Sequence, residues 1–150
     1  KQTNSFNIDG MGEECFVMAF ATRTLRDTGI LVTIAVDIDN DTATNLILDG
    51  SGLGSFANGA KVDIRRIWWG LTQGTAAGNT GDVEIEFKGS SSDTHAIRLV
   101  GTGHYDGTAG LIEGNATNTT ATSADVEAVT RGTSGFLIIE FKKRDGGWTG

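Results

Sequence analysis

The chain has 150 residues, of which 22 are glycine and none is proline, and its formal net charge is −7. A chain of this length buries about two thirds of its unfolded surface, so one domain can fold without a disulfide or a structural metal. The single cysteine, Cys15, excludes an internal disulfide, and the negative charge argues against a groove for nucleic acid. No apolar run has the length of a membrane span, so we expect neither nucleic acid nor a membrane as partner.

The start of the chain predicts an arm followed by a strand. Residues 1–13 are polar and contain glycine, and we interpret them as an N-terminal arm or loop. Residues 14–150 are interpreted as a single β-sandwich domain. Glu14 to Leu25 is apolar on both faces, which favours a strand that is central or covered by a partner.

Two further strands are predicted before residue 50. Ile30 to Ile38 alternates apolar, mostly β-branched residues with period two, which is typical of a strand. Residues 39–44 are polar and indicate a turn. A short strand over residues 45–49 is predicted to point Leu46 and Leu48 inward.

The stretch from Lys61 to Leu71 is a strand whose apolar periodicity changes once. Before Arg65-Arg66 the apolar residues are at even positions, Val62 and Ile64. After it they are at odd positions, Ile67, Trp69 and Leu71. A β-bulge there would place both sets on the core side. The bulge predicts that Trp68 points away from the core.

The rest of the chain predicts strands joined by turns and one long loop. Val83 to Phe87 alternates apolar residues with Glu84 and Glu86, and strands are also predicted around residues 97–99, 124–130 and 136–143. Residues 102–123, rich in glycine, threonine and asparagine, are longer than an ordinary connection, so they are either a functional loop or contain a short strand around Leu111-Ile112. About eight short strands without a helical stripe predict an all-β, antiparallel β-sandwich of jelly-roll type.

The sequence contains one weak candidate for a metal-binding motif. Asp37, Asp39 and Asp41 begin like a calcium-binding loop, but Thr42 stands where the loop needs glycine and Leu48 where it needs glutamate. A solvated acidic turn is the favoured interpretation, with a weak Ca²⁺ site as the alternative. No cofactor is expected.

The residues that could serve in catalysis are not arranged in a known catalytic motif. His95 and His104 have no metal-ligand spacing to another histidine or to Cys15. Glu84 and Glu86 face the same side of a solvated strand, where we expect nothing to raise the pKa of either, so a glycosidase pair is not favoured. We therefore predict that the protein is not an enzyme.

The exposed aromatic and apolar residues predict an interaction surface. One of the adjacent residues Trp68 and Trp69 must face outward from the strand. An outward tryptophan on a sheet anchors protein interfaces or stacks on a sugar ring. The predicted interface residues are Trp68, Phe136, Ile138 and Trp148, and the carbohydrate-binding alternative would use Trp68, Tyr105, Asp106 and Trp148.

The second half of the chain resembles structural proteins of tailed bacteriophage virions, marine phages in particular. The matching segments are Ile67–Gly70 (IWWG), Val83–Phe87 (VEIEF), Ile97–Gly103 (IRLVGTG) followed by Asp106, and Phe136–Lys142 (FLIIEFK). The resemblance implies a small β-sandwich that coats or cements a capsid, or that builds part of the neck or tail. It carries no catalytic residues.

We therefore predict a capsid decoration protein that binds the major capsid protein and its own copies, in a virion assembled in the host cytoplasm. A closed homo-oligomer is expected, and a trimer would match the three-fold positions of a capsid. The alternatives are a carbohydrate-binding or lectin-like β-sandwich module, and a neck, tail or fibre component of the virion.

Overall fold

The computed structural model describes residues 19–54, 56–57, 60–76, 78–114, 124–144 and 148. The predicted arm at 1–13 and the first residues of the predicted strand 14–25 lie outside the described residues. No helix in the described part is both long and apolar enough to cross a membrane.

Nine strands run through the described ranges, one more than the number expected. They are β1 (Phe20–Asp27), β2 (Leu31–Asp41), β3 (Thr44–Leu48), β4 (Val62–Gln73), β5 (Val83–Phe87), β6 (Thr94–Leu99), β7 (Thr102–Tyr105), β8 (Val126–Thr130) and β9 (Thr133–Lys143). The one helical segment among these residues is a 3₁₀ turn at Gly50–Gly52.

The strands form two antiparallel sheets. The five-stranded sheet has the order β1-β2-β9-β4-β7, and the four-stranded sheet has the order β3-β8-β5-β6. A single cluster of buried residues draws side chains from both sheets, including Ile34, Ile67, Ile85, Val126 and Phe141. The predicted all-β, antiparallel β-sandwich is confirmed.

The predicted bulge in β4 is confirmed. Arg66 stands opposite Glu140 and Ile64 opposite Phe141, so Arg65 is the extra residue on β4. Ile64 and Ile67 are consequently both fully buried although their sequence parity differs. The bulge is what turns the next residue after Ile67, Trp68, toward solvent.

The predicted orientation of β3 is wrong at one residue. Leu46 is exposed, whereas Ile47 and Leu48 are both buried. The register of β3 against β8 shifts between Leu46 and Leu48, so the alternation that the sequence suggests does not hold there.

Two predicted loops are shorter than expected. The turn expected at 39–44 is reduced to two residues, because β2 continues to Asp41 and β3 begins at Thr44. The stretch at 102–123 begins with β7, which was not expected, and the extended pairing predicted as an alternative around Leu111-Ile112 is present as an isolated bridge between Ile112 and Ile64. Residues 115–123 lie outside the described part of the chain.

Candidate functional site

The outer face of the five-stranded sheet brings three of the predicted interface residues together. Ile138 on β9 stands directly opposite Trp68 on β4, and Phe136 stands opposite Gly70 one step along the same pair of strands. Residues opposite one another across a sheet share a face and lie in side-chain contact range. We call the group Trp68, Gly70, Phe136 and Ile138 the aromatic patch.

The aromatic patch is open to solvent although its neighbours on the other face are not. Trp68 is 38% exposed and Phe136 is 42% exposed, whereas Leu137 and Ile139, on either side of Ile138 on β9, are fully buried. Gly70 makes room for the phenylalanine, because a Cβ added there would lie 2.7 Å from Cε1 of Phe136. Large apolar side chains grouped in this way on an outer sheet face are typical of interaction surfaces.

A charged cluster lies beside the aromatic patch on the same face. Glu140 on β9 is 4% exposed, and its two carboxylate oxygens accept hydrogen bonds from Arg26 Nη2 and Arg65 Nη1, each at 2.8 Å. Arg66 Nε lies 3.7 Å from the same carboxylate. Three guanidinium groups thus surround one carboxylate, which leaves this part of the face with net positive charge.

A groove continues the outer face beyond this charged cluster. It has a volume of about 340 Å³ and is lined by Ile30, Leu31, Leu111, Arg65 and Lys142. Three of these side chains are apolar and two are cationic. Lys142 forms no ion pair with any residue in the described ranges, and we call this feature the cationic groove.

The outer face of the four-stranded sheet has a different character, because acidic side chains dominate it. Glu84 accepts a hydrogen bond from Arg131, and His95 Nδ1 also lies within ion-pair distance. The hydrogen bond from Arg131 is the main reason that the pKa of Glu84 lies below its ordinary value. Glu84 is therefore a fixed, paired carboxylate.

Glu86, two residues further along β5, has the opposite behaviour. Burial raises the pKa of Glu86, and the negative charges of Glu84, Asp93 and Glu127 raise it further. The expectation that nothing would raise the pKa of either glutamate is therefore wrong. The sequence does not show that the hairpin carrying Asp93 and the neighbouring strand β8 both place carboxylates beside Glu86.

Glu86, Asp93 and Glu127 form an acidic cluster on this face. One carboxylate oxygen from each lies within 4.8 Å of the others, and among the described residues this is the group that has the geometry to hold a metal ion. Lys88 Nζ contacts Glu127 at 2.9 Å, and the amide of Gly89 donates to Asp93. These contacts offset part of the repulsion without any ion.

The structure does not assemble the predicted calcium ligands. Asp37 and Asp39 are exposed on β2, but the alternation breaks at Asn40, whose φ is 51°, and Asp41 is buried. Asp41 Oδ2 accepts hydrogen bonds from the side chains of Asn45 and Thr130. Its carboxylate therefore ties β2 to β3 and β8.

The predicted carbohydrate-binding residues do not form one platform. Tyr105 stands opposite Ile67 and faces the core side, with its hydroxyl donating to the carbonyl of Gly110. Asp106 accepts from the amide of Thr108 at 2.8 Å. Tyr105 therefore does not share the face of Trp68.

Trp148, the fourth predicted interface residue, lies apart from the aromatic patch. Its ring packs edge-on against Phe56 with centroids 5.9 Å apart, and its Nε1 donates to the carbonyl of Lys61 at 2.9 Å. Lys143 Nζ lies 4.9 Å from the centroid of the same ring. Trp148 therefore closes one end of the core.

Sequence reasoning did not single out Glu140 or the arginines that surround it. A signal was present, because Glu140 interrupts an apolar run, FLIIEF, and a charge at such a position requires a partner. The identity of its partners depends on strand order, since Arg26 and Arg65 lie on β1 and β4. Nor does the sequence indicate that Gly70 makes room for the ring of Phe136.

Comparisons with known proteins add little to this geometry. No family model matches the chain, and no curated protein matches it. Among solved structures, "The structure of KdgF from Halomonas sp." aligns over 87% of this chain and 86% of its own, with 14% identity and a TM-score of 0.37. A likeness at this level carries no argument about fold or function.

Proposed function

We propose that the chain is a virion structural protein that decorates the head of a tailed bacteriophage. In this proposal the protein is not an enzyme, and its partners are the major capsid protein and other copies of itself. The aromatic patch is the surface that contacts the shell. The resemblance of the strands that carry the patch to phage structural proteins supports the identity of the partner.

The single observation that carries the proposal is the grouping of Trp68, Phe136 and Ile138 on one outer sheet face. A cluster of partly exposed aromatic side chains gains free energy when a partner covers it, and tryptophan is the residue type most enriched among interface hot spots. The positive charge beside the patch favours an acidic surface on the shell.

The test is a binding assay of the purified chain to undecorated heads of the same phage. We expect saturable co-sedimentation with the heads. The double variant Trp68→Ala, Phe136→Ala should bind at least about tenfold more weakly, since each truncation removes a central anchor. The matched control is Leu46→Ala, which removes a side chain of similar exposure (40%) from the four-stranded sheet.

Two outcomes would overturn the proposal. One is that heads never bind the wild-type chain, and the other is that the double variant binds as tightly as the wild type. If tails or fibres bind the chain and heads do not, the location on the head is wrong. The virion role and the aromatic patch would then be kept.

A further inference from the structure

The cationic groove has the chemistry of a docking site for a particular kind of peptide. Its walls are Ile30, Leu31 and Leu111, of which Ile30 is 65% exposed, and these side chains would be covered by apolar residues. Of its two cations, Arg65 already pairs with Glu140, whereas Lys142 has no ion-pair partner among the described residues and calls for a carboxylate at the rim. An occupant should therefore carry acidic and apolar residues side by side.

The chain itself contains such a segment just before β1. Glu13 and Glu14 are followed directly by the apolar residues Cys15, Phe16, Val17 and Met18. We propose that residues 13–18 of one copy dock in the cationic groove of a neighbouring copy. The apolar side chains occupy the groove, and the glutamates lie against the ammonium group of Lys142.

The reach of the backbone decides between the same copy and a neighbour. The carbonyl of Ala19 accepts a hydrogen bond from the amide of Asp39 at 2.8 Å, so the chain enters β1 beside that end of β2. The groove lies at the other end of β2, at Leu31, eight residues away. At about 3.3 Å per residue this separation is about 26 Å.

Residues 15–18 lie within four residues of Ala19, and four residues span at most about 14 Å. The apolar part of the segment therefore does not reach the groove of its own copy, and only a neighbouring copy can accept it. A contact between two different surfaces of identical chains is head-to-tail, and it closes into a ring when the rotation between copies allows closure.

This inference rests on the self-association part of the proposed function, and it is tested without phage heads. Light scattering and sedimentation of the full chain should show a defined oligomer. The variant Lys142→Glu should weaken the association at least about tenfold, because it places a negative charge against the glutamates. The variant Glu13→Gln, Glu14→Gln should weaken it in the same direction.

The matched control is Arg23→Glu, which changes the net charge by the same amount. Arg23 is an exposed cation on the outer face of the same sheet, and like Lys142 it forms no ion pair with any residue that the structure describes. We expect it to associate as the wild type does. A chain that is monomeric at all concentrations would overturn the inference, as would an oligomer that Lys142→Glu leaves unchanged.

Cys15 provides a second readout that does not depend on charge. Because it is the single cysteine, the wild-type chain can form at most a disulfide-linked dimer on oxidation. With Leu111→Cys at the groove, oxidation by copper phenanthroline should produce a ladder of species larger than the dimer. Val100→Cys, at the exposed turn between β6 and β7, is the control and should give no such ladder.

A Leu111→Cys chain that closes its disulfide within one copy would contradict docking in a neighbour. Loss of head binding with the oligomer and the ladder intact would reject the proposed function and leave this inference standing. If a monomeric chain binds heads, this inference is rejected and the proposed binding to the shell is kept.

Discussion

The ring of Phe136 occupies the space that Gly70 leaves open on the neighbouring strand. A Cβ at Gly70 would lie 2.7 Å from Cε1, 3.3 Å from Cδ1 and 3.4 Å from Cζ of that ring. A single missing side chain on β4 therefore sets the orientation of the aromatic ring on β9, and with it the shape of the aromatic patch.

We predict that Gly70→Ala reduces binding to phage heads although it leaves the fold intact. The ring of Phe136 must rotate away from the added methyl group, and since the ring is partly exposed the free energy of unfolding should change by less than about 1 kcal/mol. Head affinity should fall about as far as in Phe136→Ala. Denaturant titration and co-sedimentation measure the two quantities, and unchanged affinity would contradict the assigned role of Gly70.

The adjacent tryptophans should respond in opposite ways to truncation. Trp69 packs against Gly103 and donates its Nε1 to the carbonyl of Val100 at 2.9 Å, so Trp69→Ala should destabilise the fold by about 3 kcal/mol. Trp68→Ala should change stability by less than about 1 kcal/mol, because the side chain faces solvent. Equal losses of stability in urea melts would argue against the bulge at Arg65.

Replacement of Glu86 by glutamine should stabilise the protein at neutral pH. Because the folded-state pKa of Glu86 is raised, its ionised form costs stability above that pKa, and the cost disappears as the pH falls and the group takes up a proton. We expect a gain of about 0.5 kcal/mol at pH 7 that vanishes near about pH 4.

Glu84→Gln is the matched control for Glu86, since it lies on the same strand and faces the same side but has a lowered pKa. It should destabilise the protein at neutral pH. Both variants are compared in EDTA, so that a contaminating cation bound by Glu86, Asp93 and Glu127 does not influence the result. A loss of stability in Glu86→Gln under these conditions would mean that repulsion does not dominate in the acidic cluster.

Arg131 should contribute most to the stability of the fold at a pH at which its partners Asp82 and Glu84 are both ionised. Burial alone would raise the pKa of Asp82, but hydrogen bonds from Thr80 and Arg131 and the charge of Arg131 lower it overall. A lowered folded-state pKa gives stability that is present above the ordinary value and is lost as the pH falls through the folded-state pKa. The ion pairs between Arg131 and both Asp82 and Glu84 measure 2.8 Å.

We therefore expect Arg131→Gln to cost about 1 kcal/mol at pH 7 and almost nothing near about pH 2. Thermal unfolding across this pH range gives the measurement. A difference between variant and wild type that is independent of pH would assign the effect of Arg131 to packing.

Lys143 should be far more important to stability than Lys142, its neighbour in sequence. Its ammonium group is buried and donates to Asp27 Oδ1 at 2.7 Å and to the carbonyls of Thr28 and Gly54 at 2.6 and 3.0 Å. Lys143→Met should cost about 3 kcal/mol, because two carbonyls lose a charged donor. Lys142→Met should stay within about 0.5 kcal/mol, and similar costs for both variants would refute this account.

The sequence predicted those parts of the fold that follow from local periodicity. The alternation of β2 and β5 and the parity change in β4 identified the strands, the bulge and the outward direction of Trp68. β3 was misoriented at Leu46, because a register shift against β8 is a property of the pair of strands and is not encoded in either strand alone.

The candidate site could be predicted only in part for the same reason. Trp68, Phe136 and Ile138 were each predicted as interface residues, but their contiguity required the knowledge that β9 lies next to β4. Trp148 was predicted as an interface residue by the same reasoning, but it lies at one end of the core. The opposite pKa shifts of Glu84 and Glu86 depend on Arg131 and Asp93, which come from different turns of the chain.

The outer face of the five-stranded sheet carries charge of the opposite sign to the protein as a whole. Among the residues that the structure describes, five lysines and arginines lie on it, namely Arg23, Arg26, Arg65, Arg66 and Lys142, against the four carboxylates Asp37, Asp39, Asp63 and Glu140. A molecule of net charge −7 that carries a face of net positive charge has an electric dipole moment, and an external field orients it. On approach to an acidic surface it is turned so that this face leads, and its rate of association should fall as ionic strength rises.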